Sequence, residues 1–469
     1  MGKTSKKYSL KKLSQNTIFI IALLLGLNVI PVKAMAEYNK LLKIGIIQRF
    51  GAKATDKIII KATPGDKLTL RFKTPGGEDT LTTEKVELKI KMKPLEEPIL
   101  KERLILSSHR SYENAEEDAQ FWKNKGIEVE VAQPDRWKVW AKREVYKTPL
   151  LRRWLLESIQ AHSNTNVYLD LEALKQRPTA YWNMNGYIYH RHELYITAGK
   201  DEIIISNQFN QDTAILEERR YAGSLKLEPN AYGTYTLVNN VPIETYIRGV
   251  VPHELGAWPP KASLEAQSIL ARTYALRNLH RFVVDNYELC ADTHCQVYKG
   301  LDVYPETDTA VTATRGKVLT YKDELIDAVY FAVSGGVTAD FNDLWNGTER
   351  PYLRPVIDGV NNIWDLSRNS LAYEQNFRKF MSLKKGFNEE GWREFRWQEA
   401  VSLPDIVGYL KSYFQKKKSP FAQFETIKKV EVTERSLAGR VLKMTVETDR
   451  GIIELNKDEV QNAFWVPWI

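Results

Sequence analysis

Apolar and polar residues alternate from Leu42 to Arg49, the period of two that marks a strand with one buried face. Two further β-rich runs, Ile58 to Ala62 and Leu68 to Phe72, are separated by the turn signal Pro64-Gly65, and Val86 to Met92 adds another strand. Pro94 and Pro98 then read as a linker, so residues 37–98 are expected to form a small β-rich unit. Between Arg103 and Tyr146 the period changes twice. A strand around Leu104 to Ser108 precedes a helix in which Ala115, Ala119 and Trp122 recur at helical spacing and Gly126 marks the end. Two strands follow, Ile127 to Ala132 and Trp137 to Tyr146. Beyond Pro149 comes a helix, Leu150 to His162. Strands are then expected at Tyr168 to Leu171, Tyr187 to His190 and Leu194 to Ile196.

Before Leu42 the pattern differs. Lys3, Lys6, Lys7, Lys11 and Lys12 precede an apolar run from Ile18 to Ile30, and Ala34-Met35-Ala36 offers small residues for cleavage, so residues 1–36 read as a secretory signal peptide. The run is shorter than the ~20 residues of a membrane span. Contact with a membrane is therefore expected only through an uncleaved leader, and an extracytoplasmic location follows. The leader holds six lysines and no acid, so the net charge of +8 becomes +2 for a chain starting at Glu37. The basic balance is thus a property of the leader, and nucleic acid is not an expected partner. With 43% hydrophobic residues and 12 Trp, the remainder can bury a sizeable core and is long enough for two to four domains.

Candidate chemistry concentrates between Val241 and Leu276. Glu254 follows an apolar turn and precedes Trp258-Pro259-Pro260, after which a long Ala-rich segment carries Gln267, Arg272 and Tyr274. This is a setting for a lone catalytic acid, and equally for an ordinary glutamate at a helix end. The order Ile243-Glu244-Thr245-Tyr246, Gly249-Val250-Val251, Glu254, Ala266-Gln267 and Ala271-Arg272-Thr273-Tyr274 resembles the signature of the SpoIID/LytB family, the stage II sporulation protein D and amidase-enhancer proteins. One departure is Glu265, where that family carries lysine. Tyr221-Ala222-Gly223, Cys290 to Tyr298, Ser334-Gly335-Gly336-Val337-Thr338, Pro351-Tyr352-Leu353 and Glu434 to Val441 are similar to its further elements, in the same order. The chain reaches Trp465 to Ile469 where such proteins continue into a last apolar strand.

The residue patterns and the resemblance together imply a multidomain α+β protein: a leader at 1–36, the β-rich unit at 37–98 and an α+β unit at 99–175 from the patterns, and, from the resemblance, a mixed α/β catalytic domain at 176–469 with its core motif at 215–360. The 99–175 unit looks like a SPOR-type module, a fold that binds glycan strands in other envelope proteins. An ordinary packing unit with Trp137 and Trp140 in its core fits as well. The implied activity is a peptidoglycan lytic transglycosylase acting on denuded glycan strands, and the alternative is a non-catalytic amidase enhancer with a cell-wall amidase as partner.

A lytic reaction needs fewer groups than hydrolysis, in which two carboxylates divide the work. The sugar's own 6-hydroxyl attacks the anomeric carbon, so one carboxyl can act as acid and then as base. That role falls to Glu254, whose pKa must be raised by apolar surroundings, with Val250, Val251, Leu255 and Trp258 as candidates. Gln267 and Tyr274, seven apart, share a helix face, and Arg272 is available to pair with a carboxylate such as Glu254 or to hold a lactyl group. Carried over from the family, Gln296, Tyr298, Ser334, Gly335, Gly336 and Thr338 are expected to line the same groove. The paired glycines also suit a plain hairpin turn.

Cys290 and Cys295 are the two cysteines of the chain and, with His294, offer three zinc-type ligands. His280, His253 or water would be the fourth, and the metal would be structural. An exported chain with an even cysteine count equally predicts a disulfide. His190 and His192 lack a third ligand nearby and read as solvent-facing strand residues.

Overall fold

A computed structural model describes residues 40–464, apart from 163–165, 210–215, 257, 303, 361–362, 399 and 417–419. The expected leader lies outside the described residues. Five strands open the fold: β1 (Leu41–Phe50), β2 (Lys57–Ala62), β3 (Leu68–Thr74), β4 (Gly77–Thr83) and β5 (Lys85–His109). Helix α1 (Tyr112–Asn124) follows, capped by the Ser111 side chain, then β6 (Val129–Ala132), β7 (Trp137–Ala141) and α2 (Pro149–His162). The strand-helix-strand-strand order expected from the sequence is present.

Next come β8 (Tyr168–Met184), β9 (Tyr187–His190), β10 (Leu194–Ala198), β11 (Glu202–Asn207), β12 (Glu217–Ala222), β13 (Ser224–Pro229) and β14 (Tyr235–Pro242). Helices α3 (Ile243–Leu255) and α4 (Lys261–Arg277) lead to the short β15 (Leu289–Cys290). The result is a multidomain α+β protein.

The expected division at residues 98 and 176 does not separate sheets. One sheet runs β15-β1-β14-β13-β10-β3-β4 and the other β12-β11-β2-β5-β7-β6, so the first strands of the chain are interleaved with those of residues 194–242. Strand β1 shows why. Leu42 and Ile44 are wholly buried while Leu41 and Lys43 face out, and burial of each such side chain contributes about 1.5–3 kcal/mol. A hairpin pair cannot cover that face alone. Pairing with β14, from Leu41 opposite Pro242 to Phe50 opposite Tyr235, does so. A single core extends from Leu42 to Ala328.

The linker expected at Pro94 and Pro98 is part of β5 instead. Strand β5 pairs with β8 in a long ribbon, and its register breaks between Pro94 and Ile99. A proline donates no hydrogen bond, but at an exposed bulge of a solvated ribbon none is required. Trp137 and Trp140 are buried, so the packing role holds for both.

Residues after about 337 build separate small cores, one around Val337, Leu371, Phe380 and Phe387 and one around Leu410, Phe414, Val446 and Leu455. The latter backs a three-stranded sheet of Ile427–Arg435, Val441–Thr448 and Gly451–Asn456. This region docks on α1 through the Asn346 amide, which donates to Asn114 Oδ1 at 2.8 Å. Among the described residues no helix is long and apolar enough to cross a membrane.

The interleaving has a direct test. A fragment of residues 176–336 leaves β14 without β1, and it is expected to show no cooperative thermal transition by circular dichroism, whereas residues 40–469 melt cooperatively. A sharp transition in the fragment would restore the expected boundary.

Candidate functional site

Helix α3 carries the candidate acid, and its position is set one turn earlier. A Cβ at Gly249 would stand 2.1 Å from Gly300 O, so only glycine lets the helix lie directly on the 297–300 loop. The Lys299 amide donates to Gly249 O at 3.3 Å in that contact. The loop thereby reaches Glu254, in the last turn of α3, and the Val297 amide donates to Glu254 Oε1 at 2.6 Å. Gly256, at φ +84°, ends the helix.

Burial pushes the Glu254 carboxyl above its ordinary pKa, and the Val297 amide opposes this only in part. The negative end of the α3 dipole acts in the same direction as burial. Among the described residues no cation forms an ion pair with Glu254. Its surroundings are phenolic: burial, and to a lesser degree charge on Glu254, raises the pKa values of the buried Tyr246 and Tyr274 and of the half-buried Tyr330. Val250 and Val251 are buried in the core beneath, but Leu255 and Trp258 are 40% and 81% exposed and do not supply the expected apolar cover.

Gln296 organises this ring. Tyr246 Oη donates to Gln296 Oε1 at 3.2 Å, and Gln296 Nε2 donates to Tyr330 Oη at 2.8 Å. The Tyr330 hydroxyl therefore keeps its own hydrogen to donate elsewhere. Tyr330 was not anticipated from sequence. It lies in the aromatic and aliphatic run Ala328 to Val333, and nothing in its spacing marks a hydroxyl at the wall of the cleft.

Glu254 opens into a cleft of about 380 Å³ walled by three parts of the chain. Tyr274, His294 and Tyr330 come from the main core, Arg110 and Tyr112 from the entrance to α1, and Trp345 from the C-terminal region. The other carboxyl in the wall, Glu113, is ion-paired with the buried Arg281. A larger cavity of about 630 Å³ lies beside β1, but its acids Asp56 and Asp292 are bonded to the Gly51 amide and to Gln48. The Glu254 cleft thus brings an acid with no ion-pair partner among the described residues to open space.

The other expected site residues divide. Tyr274 lines the cleft, its hydroxyl 3.5 Å from His294 O. Gln296 stands behind it, fully buried. Tyr298 is a core residue, donating to Asn239 Oδ1 at 2.9 Å and packed on Tyr246. Arg272 does not reach Glu254. It is buried in a bidentate pair with Glu244, Nε and Nη2 each 2.9 Å from a carboxylate oxygen, because both face the α3–α4 contact. Gln267 is buried in the same helix, outside the cleft wall, with Nε2 lacking a partner among the described residues.

Ser334, Gly335, Gly336 and Thr338 also lie outside that wall. Ser334 is buried, Glu389 accepts from the amides of Ser334 and Gly336, and Arg440 donates to Ser334 O and Val337 O. Gly335 and Gly336, at φ +69° and +87°, make the turn, and Thr338 Oγ1 closes it by accepting from the Val356 amide at 2.8 Å. This turn is a clasp held by the C-terminal region.

Cys290 and Cys295 form a disulfide, the second of the two sequence alternatives. Disulfide sulfurs have no thiolate to offer a metal. His280 is turned to Glu116, at 2.6 Å, and His253 lies 3.4 Å from Asp302. Among the described residues no three His, Cys, Asp or Glu side chains gather as a metal site, so the zinc set Cys290, His294, Cys295 and His280 does not fit this arrangement. His192 is bonded to Tyr235 Oη.

Residues 231–321 match the family model described as stage II sporulation protein, and residues 339–468 match one described as a domain of unknown function (DUF8618). An uncharacterized protein of Brachyspira hyodysenteriae is 36% identical over 176 residues, 35% of this chain and 45% of that protein. The amidase enhancer of Bacillus subtilis is 37% identical over 107 residues, 23% of this chain and 14% of its own length. Stage II sporulation protein D of the same organism is 32% identical over 159 residues, 29% of this chain and 45% of that protein. The chain thus spans less than half the length of these relatives. The expected likeness to the SpoIID/LytB family holds.

Two stability measurements separate structural from chemical residues. Arg272→Gln leaves Glu244 buried without its cation and is expected to lower the unfolding free energy by about 3–5 kcal/mol in urea. Glu254→Gln acts in the opposite sense. A carboxyl whose pKa is raised on folding gives stability that is full below its ordinary pKa and is lost as pH rises through the raised one. Relative to wild type, Glu254→Gln should therefore gain in Tm as pH rises from 4 to 8, and a constant difference would refute the raised pKa.

Proposed function

We propose that this chain, whose residues 231–321 form a domain of the stage II sporulation protein family, is an exported peptidoglycan lytic transglycosylase with Glu254 as its single acid and base. The observation that supports it is a half-buried carboxyl with raised pKa, unpaired with any cation among the described residues, in a cleft open to solvent. A glycosidase acid must hold its proton near neutral pH, and burial shifts Glu254 in that direction.

In the proposed reaction Glu254 donates its proton to the glycosidic oxygen while the bond from that oxygen to C1 breaks. The carboxylate left behind then accepts the proton of the 6-hydroxyl as O6 bonds to C1. The products are a 1,6-anhydro-muramic acid end and a free 4-hydroxyl on the leaving sugar, and no water enters. The Val297 amide holds Glu254 Oε1 and stabilises the carboxylate between the steps. Tyr330 can donate to the same carboxylate or to the sugar. Export rests on the leader pattern of residues 1–36, and a disulfide suits an oxidising compartment.

A second reading draws on the likeness to the protein named amidase enhancer: the cleft binds denuded strands and a cell-wall amidase does the cutting. The two differ in what the isolated chain does. Mass spectrometry of denuded strands digested by purified protein is expected to find anhydro-muramic ends, with Glu254→Gln reducing the rate at least ~10³-fold. The wild-type rate should fall as pH rises through the raised pKa, since the acid form is the donor. Ordinary reducing ends, or activity that needs an added amidase, would sink the proposal.

A further inference from the structure

The segment between Asp327 and Ser334 lines the cleft wall as irregular chain, in neither helix nor strand, and among the described residues no strand pairs with it. Ala328, Val329, Tyr330, Phe331 and Ala332 all line the cleft that holds Glu254. None of their backbone N–H or C=O groups is hydrogen-bonded among the described residues. Backbone groups at a wall are normally paired with protein or water.

The segment is fixed at both ends. The Asp327 amide donates to Tyr352 Oη at 3.1 Å, and its carboxylate pairs with Arg277 and Arg350. Ser334 is held by Glu389 and Arg440 in the turn described above. Midway, Tyr330 is tied to Gln296. Phe331, by contrast, is 58% exposed on the cleft side, an apolar ring with no burial to account for it.

A backbone segment pinned in place with unpaired donors and acceptors at a cleft wall can bind a ligand that carries both in amide geometry. On a glycan strand that group is the 2-acetamido substituent, whose N–H and C=O mirror those of a peptide, while Phe331 offers a face to the apolar side of a sugar ring. We infer that Ala328 to Ala332 is the subsite that reads the N-acetyl groups of the amino-sugar strand through its backbone, with Phe331 as the stacking residue. This rests on the reading of the cleft as a glycan site. It assigns recognition to the sugar's acetamido groups and not to peptide stems, although an extended peptide could pair with the same groups.

Hydrogen exchange of the full chain carrying Glu254→Gln tests this, with three probes: the tetramer of N-acetylglucosamine, the tetramer of glucosamine and a free stem pentapeptide. Unpaired amides exchange fast, and the N-acetylated tetramer is expected to slow those of residues 328–333 by at least about tenfold. The glucosamine tetramer and the pentapeptide should leave them unchanged. Phe331→Ala should require about tenfold more tetramer for the same protection, with exchange elsewhere unaltered as the check on folding. Equal slowing by both tetramers, slowing by the pentapeptide, or none by the N-acetylated tetramer overturns the inference. Protection without anhydro products from wild type keeps the subsite and removes the lytic assignment. Anhydro products without protection do the reverse.

Discussion

The site depends on the contact between Gly249 and Gly300. Two backbones meet there at a distance that no side chain permits, and this brings the 296–300 loop against the last two turns of α3. Three consecutive residues of that loop then take up different tasks. Gln296 bridges two tyrosine hydroxyls, Val297 gives its amide to Glu254, and Tyr298 anchors the loop by reaching Asn239 in β14. The disulfide sits immediately before them and closes the loop's other end. A Cβ at residue 249 would push the loop outward and withdraw the Val297 hydrogen bond to Glu254.

The electrostatics follow from what is neutralised and what is left alone. The buried ions around the cleft are matched in pairs, Arg272 with Glu244 and Arg281 with Glu113, as burial of charge requires. Glu254 is exempt from this matching and faces phenols, which cannot compensate a negative charge as a cation would. An arginine delivered to Glu254, as the sequence allowed for Arg272, would have opposed the upward shift of its pKa. The pairing of Arg272 with Glu244 therefore leaves the upward shift of Glu254 uncompensated by a cation, although neither residue touches the cleft.

Much of this was legible in the sequence, and the limits are physical. Strands of period two and α1, with Gly126 just beyond its end, were predictable because local pattern decides them. The interleaving of β1 with β14 was not, since pairing partners about 190 residues apart leave no mark in a local period. Glu254 could be singled out by its setting and its family resemblance. Tyr298 and Ser334 were assigned to the groove, yet Tyr298 lies in the core and Ser334 in a clasp, because a motif records that a residue matters and not whether it faces ligand or supports what does. Tyr330 was missed for the converse reason: its role comes from a partner, Gln296, on a distant loop.

The clasp explains why a turn outside the cleft belongs to the same motif set as the acid. Glu389 and Arg440, both from the region beyond residue 337, fix Ser334 and so fix one end of the unpaired segment that crosses the cleft. A segment without strand partners would otherwise sample many conformations, at an entropic cost of roughly 1–2 kcal/mol per residue when a ligand orders it. Anchoring it at Asp327, Tyr330 and Ser334 removes most of that cost before any ligand arrives. The C-terminal region thus contributes to the cleft at two levels, by lending Trp345 to its wall and by fixing one end of the segment that lines it beside the acid.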